Sequence, residues 1–325
     1  MRALVTDGQG SRWKVAEVPP PDIGSHEVLV EVAAAGLNHA DLLMRQGRYL
    51  PTSADWNVPA NRVGFEMAGR VRAVGPDVRD IAPGQLVMAQ TGGACAELVA
   101  VDHQLLLPVP ESAATDAAGL PSALLTEYDA LTARARIRPA DRVLITGATS
   151  GVGLVGVQLA RALGAGTVIA TTRSAAKAEL LRSLGADHVV DTSTTGVMEA
   201  LGPDAYDVCL DHVGGAPFAE LMGAAAPLAR IVQIGRLAGD HAEIDLELLA
   251  ARRLHLIGTT FRGRDAAELH TLVAHLRAAL PGLLGEHHVR PVIDSVVDLA
   301  TAEDAAKRLT EPGLTGKVVL RIGRL

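Results

Sequence analysis

Arg142-Val143-Leu144-Ile145-Thr146-Gly147-Ala148-Thr149-Ser150-Gly151-Val152-Gly153-Leu154-Val155-Gly156 is the stretch whose reading settles the architecture. It begins as a short run of branched apolar residues, the pattern of a strand buried on both faces. It then turns into an apolar helical segment, Val152 to Leu163. Gly151, Gly153 and Gly156 keep the spacing G-x-G-x-x-G at that strand-to-helix junction. A dinucleotide uses such a junction because the turn is tight, because backbone without Cβ can approach a pyrophosphate, and because the first amides of the helix face the anion. Glycines wanted only for strand–helix packing are the competing reading. A Walker-type phosphate loop is excluded, since no Gly-Lys-Ser/Thr follows.

Outward from this junction, short apolar runs alternate with Ala/Leu-rich helical stretches from about Leu120 to Thr260. The runs Arg142 to Gly147, Thr167 to Thr172, His188 to Asp191, Asp207 to Val213, Arg230 to Gly235 and Leu254 to Thr260 predict a doubly wound α/β domain over 119–260, with six parallel strands. At the end of the second run stands Thr171-Thr172-Arg173-Ser174, where an NAD enzyme places Asp or Glu on the ribose 2′-hydroxyl. With Arg173 and Lys177 available to pair with a 2′-phosphate, NADP(H) is favoured over NAD(H). A solvated helix start is the plainer reading of those two residues.

The flanks read differently. Residues 1–118 hold alternating and glycine-punctuated runs (Glu27 to Ala33, Gly64 to Val74, Gln85 to Ala89), the marks of an antiparallel β module. One helix, Ala40 to Gln46, is closed by Gly47. The tail 261–325 alternates helix Ala266 to Leu280, strand Val289 to Val297, helix Ala302 to Leu309 and strand Lys317 to Ile322. It is expected to complete the β module, which is therefore split between 1–118 and 261–325.

Composition limits the function. The chain has 325 residues, 48% hydrophobic and 21% charged, which suits two globular domains and excludes disorder. Only 2% of residues are aromatic, so the core must be aliphatic. A net charge of -7 offers no positive field for nucleic acid or acidic membrane. Two widely separated cysteines, an N-terminus without a secretory apolar run, and no membrane-length apolar stretch lead us to expect a cytoplasmic protein acting on a small molecule. No metal is expected either. Zinc needs three or four Cys, His or carboxylate ligands in tetrahedral reach. Here Phe65 precedes Glu66 where a His would serve, Asn38 stands where a Cys would, and no cysteine cluster occurs near 85–105.

Several segments together resemble a known family: Gly36-Leu37-Asn38-His39-Ala40-Asp41-Leu42, Arg45-Gln46-Gly47-Arg48-Tyr49, Gly64-Phe65-Glu66-Met67-Ala68-Gly69, the glycine turn, Leu210-Asp211-His212-Val213-Gly214-Gly215, Gly258 to Arg264, and Gly316-Lys317-Val318-Val319-Leu320. The chain resembles the zinc-independent quinone oxidoreductases, zeta-crystallin among them, of the medium-chain dehydrogenase/reductase superfamily. That resemblance implies a GroES-like fold for the split β module beside a Rossmann domain, and an NADPH-dependent two-electron reductase. It also implies roles for single residues. Asn38 and Tyr49 would line the nicotinamide and substrate pocket as hydrogen-bonding, orienting groups. Thr126 would sit beside the nicotinamide, Thr149, Ser150, Gly151 and Val152 would hold the pyrophosphate, Arg173 and Lys177 the 2′-phosphate, Gly235 and Arg236 the fifth-strand loop contacts, and Thr260 with Phe261 the nicotinamide side. Thr192 departs from the Tyr or His that the family often has after the third strand. Asp41 reads as structural, and His39 is a candidate proton donor because it titrates near neutrality.

Three functions stay open at this stage: an NADPH:quinone reductase, a reductase of an activated C=C (enone, alkenal or enoyl thioester), and a non-catalytic crystallin-like or RNA-binding role. The apolar last strand of the nucleotide domain, placed at a sheet edge, together with the resemblance implies a homodimer joined edge to edge.

Overall fold

Runs such as Val143-Leu144-Ile145 have no polar face, so they are stable only where both sides of a sheet are covered. In the computed structural model, which describes residues 1–6, 12–48, 61–109, 116–286 and 288–323, all three are fully buried. The chain divides into two units, one of Met1–Leu125, Phe261–Pro281 and Arg290–Leu325, the other of Thr126–Thr260 with Gly282–Val289.

The second unit contains a six-stranded sheet in the order His188–Asp191, Thr167–Thr172, Arg142–Ile145, Tyr206–Asp211, Ala225–Gln233, His255–Gly258. Every pair in it is parallel. The strand order reverses between Arg142–Ile145 and Tyr206–Asp211, and ligands of doubly wound sheets bind beyond the carboxyl ends at that switch point. Leu144, Ile169, Cys209 and Ile231 form an aliphatic core there, joined by Tyr206, whose hydroxyl donates to the Leu221 carbonyl at 2.6 Å. The fifth strand differs from expectation. It runs Ala225–Gln233 rather than from Arg230 to Gly235, because Leu228 takes a left-handed φ of 65° and gives its N–H to Arg252 O, which shifts the register while keeping the earlier residues in the strand. The last strand, His255–Gly258, lies at the edge of the sheet.

In the first unit, a seven-stranded sheet is built on the 11-residue strand Glu27–Leu37. One side of this strand pairs with Glu66–Val74 along most of its length. The other is shared: Leu98–Asp102 takes the first half, and the C-terminal strand Lys317–Arg321 takes the second, antiparallel in each case. The tail thus completes the sheet. Strand Ile293–Asp298 adds a parallel pair at its edge, starting later than the predicted Val289. Val28, Val30, Val32, Met67 and Val318 are fully buried in the core, and each contributes about 1.5–3 kcal/mol relative to exposure. The short helix His39–Arg45 follows the central strand, and Gly47 leaves it at a φ of 69°, where a Cβ would be strained. No helix among the described residues is long and apolar enough to cross a membrane.

Candidate functional site

The glycine turn is held open by its own side chains. Ser150 caps helix Gly151–Ala162 by accepting the Gly153 N–H on its hydroxyl at 3.0 Å. Gly147, at a φ of 57°, gives its N–H to the Thr171 hydroxyl at 3.1 Å, tying the turn to the second strand. A Cβ on Gly153 would lie 2.7 Å from the Ala148 backbone, so the turn closes on the helix only because that atom is missing. The N–H groups of Gly151 and Val152 have no hydrogen-bond partner among the described residues, as expected for the first amides of a helix. Thr149, Ser150, Gly151 and Val152 therefore form a backbone cradle in which the Gly151 and Val152 amides are free donors, while the Ser150 N–H is given to Gly147 O at 3.0 Å, and this fits a pyrophosphate.

Neighbouring strand ends bring further residues to the same carboxyl side. Arg173, exposed, directly follows strand Thr167–Thr172, and Lys177 closes the one-turn helix Ala175–Lys177. Thr192 gives its hydroxyl to the Thr172 carbonyl at 3.1 Å, so that hydrogen is spent on the fold. After the fourth strand, Asp211 accepts from the Thr146 hydroxyl at 2.7 Å and from the Val213 N–H at 3.0 Å. Gly235 crosses so near this strand end that a Cβ would meet His212 O at 2.2 Å; Arg236, next to it, is exposed. Thr260 follows the edge strand, exposed, and Thr126 is half-buried.

Beneath the turn lies a pair that the sequence reading missed. His212 and Glu127 are buried, with Nε2 2.6 Å from Glu127 Oε1. His212 Nδ1 is 2.8 Å from the Thr146 carbonyl, an atom that only accepts, so Nδ1 carries a hydrogen. The other nitrogen faces a carboxylate, which leaves the pair holding one further proton between them. Burial alone would lower the His212 pKa, but the Glu127 charge and hydrogen bond overturn that and hold it above the ordinary imidazole value. The third glycine of the motif, Gly156, packs on this pair: a Cβ there would lie 2.5 Å from Glu127 Oε2.

The first unit gathers a second cluster. Sheet register places Glu66 opposite Gly36 and Val318 opposite Leu37, so Lys317 falls beside Asn38. Lys317 Nζ donates to Glu66 Oε1 and, at 2.6 Å, to Asn38 Oδ1. Asn38 Nδ2 donates to the same Glu66 oxygen at 2.8 Å, and the Ser122 N–H donates to Glu66 Oε2 at 2.9 Å. A Cβ on Gly36 would meet Glu66 Oε1 at 2.6 Å, so glycine makes room for the carboxylate. Asp41 is fully buried and accepts the backbone N–H groups of Asn38 and Gly64 at 2.7 and 3.1 Å. Burial outweighs these bonds and, with the Glu66 charge adding, pushes its pKa up to about 7. Burial also drives the Cys95 thiol well above its ordinary value, with Asp41 and Glu66 reinforcing the shift, and the thiol is inert for the same reason.

Asn38 itself is half-buried at the start of helix His39–Arg45. Phe261, in the same unit, is half-buried with the Arg264 guanidinium 4.5 Å above its ring. His39 is exposed, and its pKa is lowered by partial desolvation and by the Arg48 charge, which disfavours the protonated form that a donor needs. Tyr49 lies outside the described residues. Glu66 and Lys317 both stood inside recognised motifs, and the pairing of the first long strand with the last was the signal that would have joined them. No group of three or more His, Cys, Asp or Glu able to hold a metal ion occurs among the described residues.

Comparisons with known proteins accord with this geometry. A family model described as "Zinc-binding dehydrogenase" matches residues 151–277, and one described as "Alcohol dehydrogenase GroES-like domain" matches 24–111. The chain is 31% identical over 314 residues to Quinone oxidoreductase-like protein 2 of Bos taurus, covering 95% of this chain and 88% of that protein. It is 34% identical over 329 residues to erythronolide synthase EryA2 of Saccharopolyspora erythraea, covering 96% of this chain but 8% of that protein, so the likeness is to one segment. Among solved structures, the quinone oxidoreductase of Thermus thermophilus, described alone and in complex with NADPH, matches with a TM-score of 0.81 and 32% identity, over 99% of this chain and 100% of that chain.

Proposed function

The chain belongs to the zinc-independent quinone oxidoreductases of the medium-chain dehydrogenase/reductase superfamily, and from that membership we propose that it reduces a quinone by two electrons at the expense of NADPH. Membership makes it an oxidoreductase that uses a nicotinamide cofactor. The observation that carries the choice of NADPH is the end of strand Thr167–Thr172, where Arg173 follows directly and no carboxylate stands to repel a 2′-phosphate. The Thermus relative described with NADPH supports the same choice.

When bound, NADPH supplies a hydride from C4 of its dihydronicotinamide. The Gly151 and Val152 amides, with Thr149 and Ser150, hold the pyrophosphate, and Arg173 and Lys177 pair with the 2′-phosphate. Thr126, with Thr260 and Phe261, would flank the nicotinamide, and Gly235 and Arg236 would supply the fifth-strand loop contacts. Asn38, with Tyr49, donates a hydrogen bond to the acceptor oxygen, on which negative charge builds as the acceptor is reduced. Water supplies the proton that completes the hydroquinone, so no strong acid is needed among these residues.

The likeness to a segment of erythronolide synthase favours one other acceptor, the activated C=C of an enoyl thioester. Turnover with NADPH against a panel of quinones and enoyl thioesters separates the two. We expect the quinones to have the higher kcat/KM, and a preference of about tenfold or more for the thioesters would replace our reading. Arg173→Ala should lower the ratio of NADPH to NADH efficiency by about tenfold, the size of a single charge-assisted phosphate contact; an unchanged ratio would remove Arg173 from the site.

The same reading includes a cytoplasmic homodimer joined through the edge strand His255–Gly258, on which Leu256 is exposed. Sedimentation across a wide range of concentration should give twice the chain mass, and a monomer throughout would contradict it.

A further inference from the structure

A side-chain amide can face either way in a site, offering its oxygen or its nitrogen, and the two ends do opposite work on an electron-rich acceptor. At Asn38 the direction is forced by the chemistry of its neighbours. Lys317 Nζ, 2.6 Å away, is a donor only and must meet the amide oxygen. The Glu66 carboxylate, 2.8 Å away, is an acceptor only and must meet the amide nitrogen. These two partners are joined to each other. Glu66 is fully buried and Lys317 is 3% exposed, so water does not compete for either contact. Each is pinned in turn: Glu66 Oε2 by the Ser122 N–H, the Asn38 backbone N–H by Asp41, and the Glu66 carboxylate by the missing side chain of Gly36.

We propose that Lys317 and Glu66 are positioning residues which lock the Asn38 amide so that its remaining N–H, and never its carbonyl oxygen, is presented to the acceptor. The amide nitrogen carries two hydrogens. One is taken by Glu66, and the other has no partner among the described residues. Without Lys317 the oxygen loses its donor, and Glu66 alone is left to hold the amide. An amide oxygen turned toward the acceptor would repel the charge that develops there. The inference rests on the reading of Asn38 as the group that meets the acceptor, and it adds that the site's hydrogen-bond polarity is set by an ion pair that does not itself touch the acceptor.

The test compares Lys317→Met, Glu66→Gln and Asn38→Ala with the parent, using three readouts. NADPH affinity by calorimetry should stay near the parent value in Lys317→Met and Glu66→Gln, because neither residue is among those read as meeting the cofactor and the glycine turn belongs to the other unit. The kcat should fall in Lys317→Met and Glu66→Gln on the order of ten- to hundredfold, the scale for a misplaced contact group. The Asn38 side-chain amide signals in a nitrogen–proton correlation spectrum, assigned by their disappearance in Asn38→Ala, should move and broaden in both positioning variants as the amide samples both orientations; loss of a bond without reorientation would shift them but leave them sharp. Should Lys317→Met not fold, Glu66→Gln carries the same expectations. If Asn38→Ala keeps the parent kcat, the reading of Asn38 fails and takes the lock with it. If Asn38→Ala loses activity while the positioning variants keep both kcat and sharp amide signals, the reading of Asn38 stands and the lock is overturned.

Discussion

Each unit buries one acid–base cluster against the backbone that carries its candidate site residues, and the two clusters are satisfied to different degrees. In the first, Glu66 Oε1 receives Lys317 and Asn38 while Oε2 receives the Ser122 N–H. In the second, Glu127 Oε1 meets His212, but Oε2 is buried with no partner among the described residues. A completed network of charges fixes direction, whereas a half-satisfied one acts as a spacer that its surroundings must accommodate. Gly156 provides that accommodation, since any larger residue would press on the unpaired oxygen.

This contrast can be broken by substitution. Lys317→Met leaves Glu66 as an uncompensated buried charge and should cost about 3–5 kcal/mol in denaturant unfolding, the range for breaking such a pair; a loss under about 1 kcal/mol would show that the first network is no tighter than the second. Gly156→Ala should cost less, about 1–3 kcal/mol from overpacking against Glu127. If Gly156→Ala proves neutral, Glu127 yields freely and the second cluster is no spacer.

A third test is in pH. Asp41 and His212 are both raised above their ordinary values, so in each case the folded state binds the proton more tightly and stability falls as pH rises. Their windows differ: Asp41 acts between its ordinary 3.8 and about 7, and His212 from 6.5 upward to its higher folded value. His212→Gln should therefore remove the decline in unfolding free energy above about pH 7, where Asp41 no longer contributes, and leave the lower window unaltered. A variant whose profile parallels the parent in the upper window would contradict the charge assigned to the second cluster.

The two regions were also unequally legible. The glycine turn could be read because strand, turn and helix are contiguous, and each glycine answers to a contact within a few residues or to one neighbouring helix. The six-stranded sheet followed from short apolar runs at regular spacing. Lys317 and Asn38 lie 279 positions apart and meet only through the register of strands that pair across nearly the whole chain. His212 and Glu127 are 85 positions apart, with no local pattern to announce them. The early start of the fifth strand was hidden because Leu228, a branched residue in a left-handed conformation, breaks the periodicity that marks a strand.

The central claim is that the turn at Gly151–Gly156 with the acid-free strand end at Arg173 holds a phosphorylated nicotinamide dinucleotide. Calorimetric titration of the protein with NADPH and with NADH tests it directly. We expect stoichiometric binding of NADPH at least about tenfold tighter than NADH, the effect of one charge-assisted phosphate contact. Equal affinity for the two, or no binding of either, would contradict it.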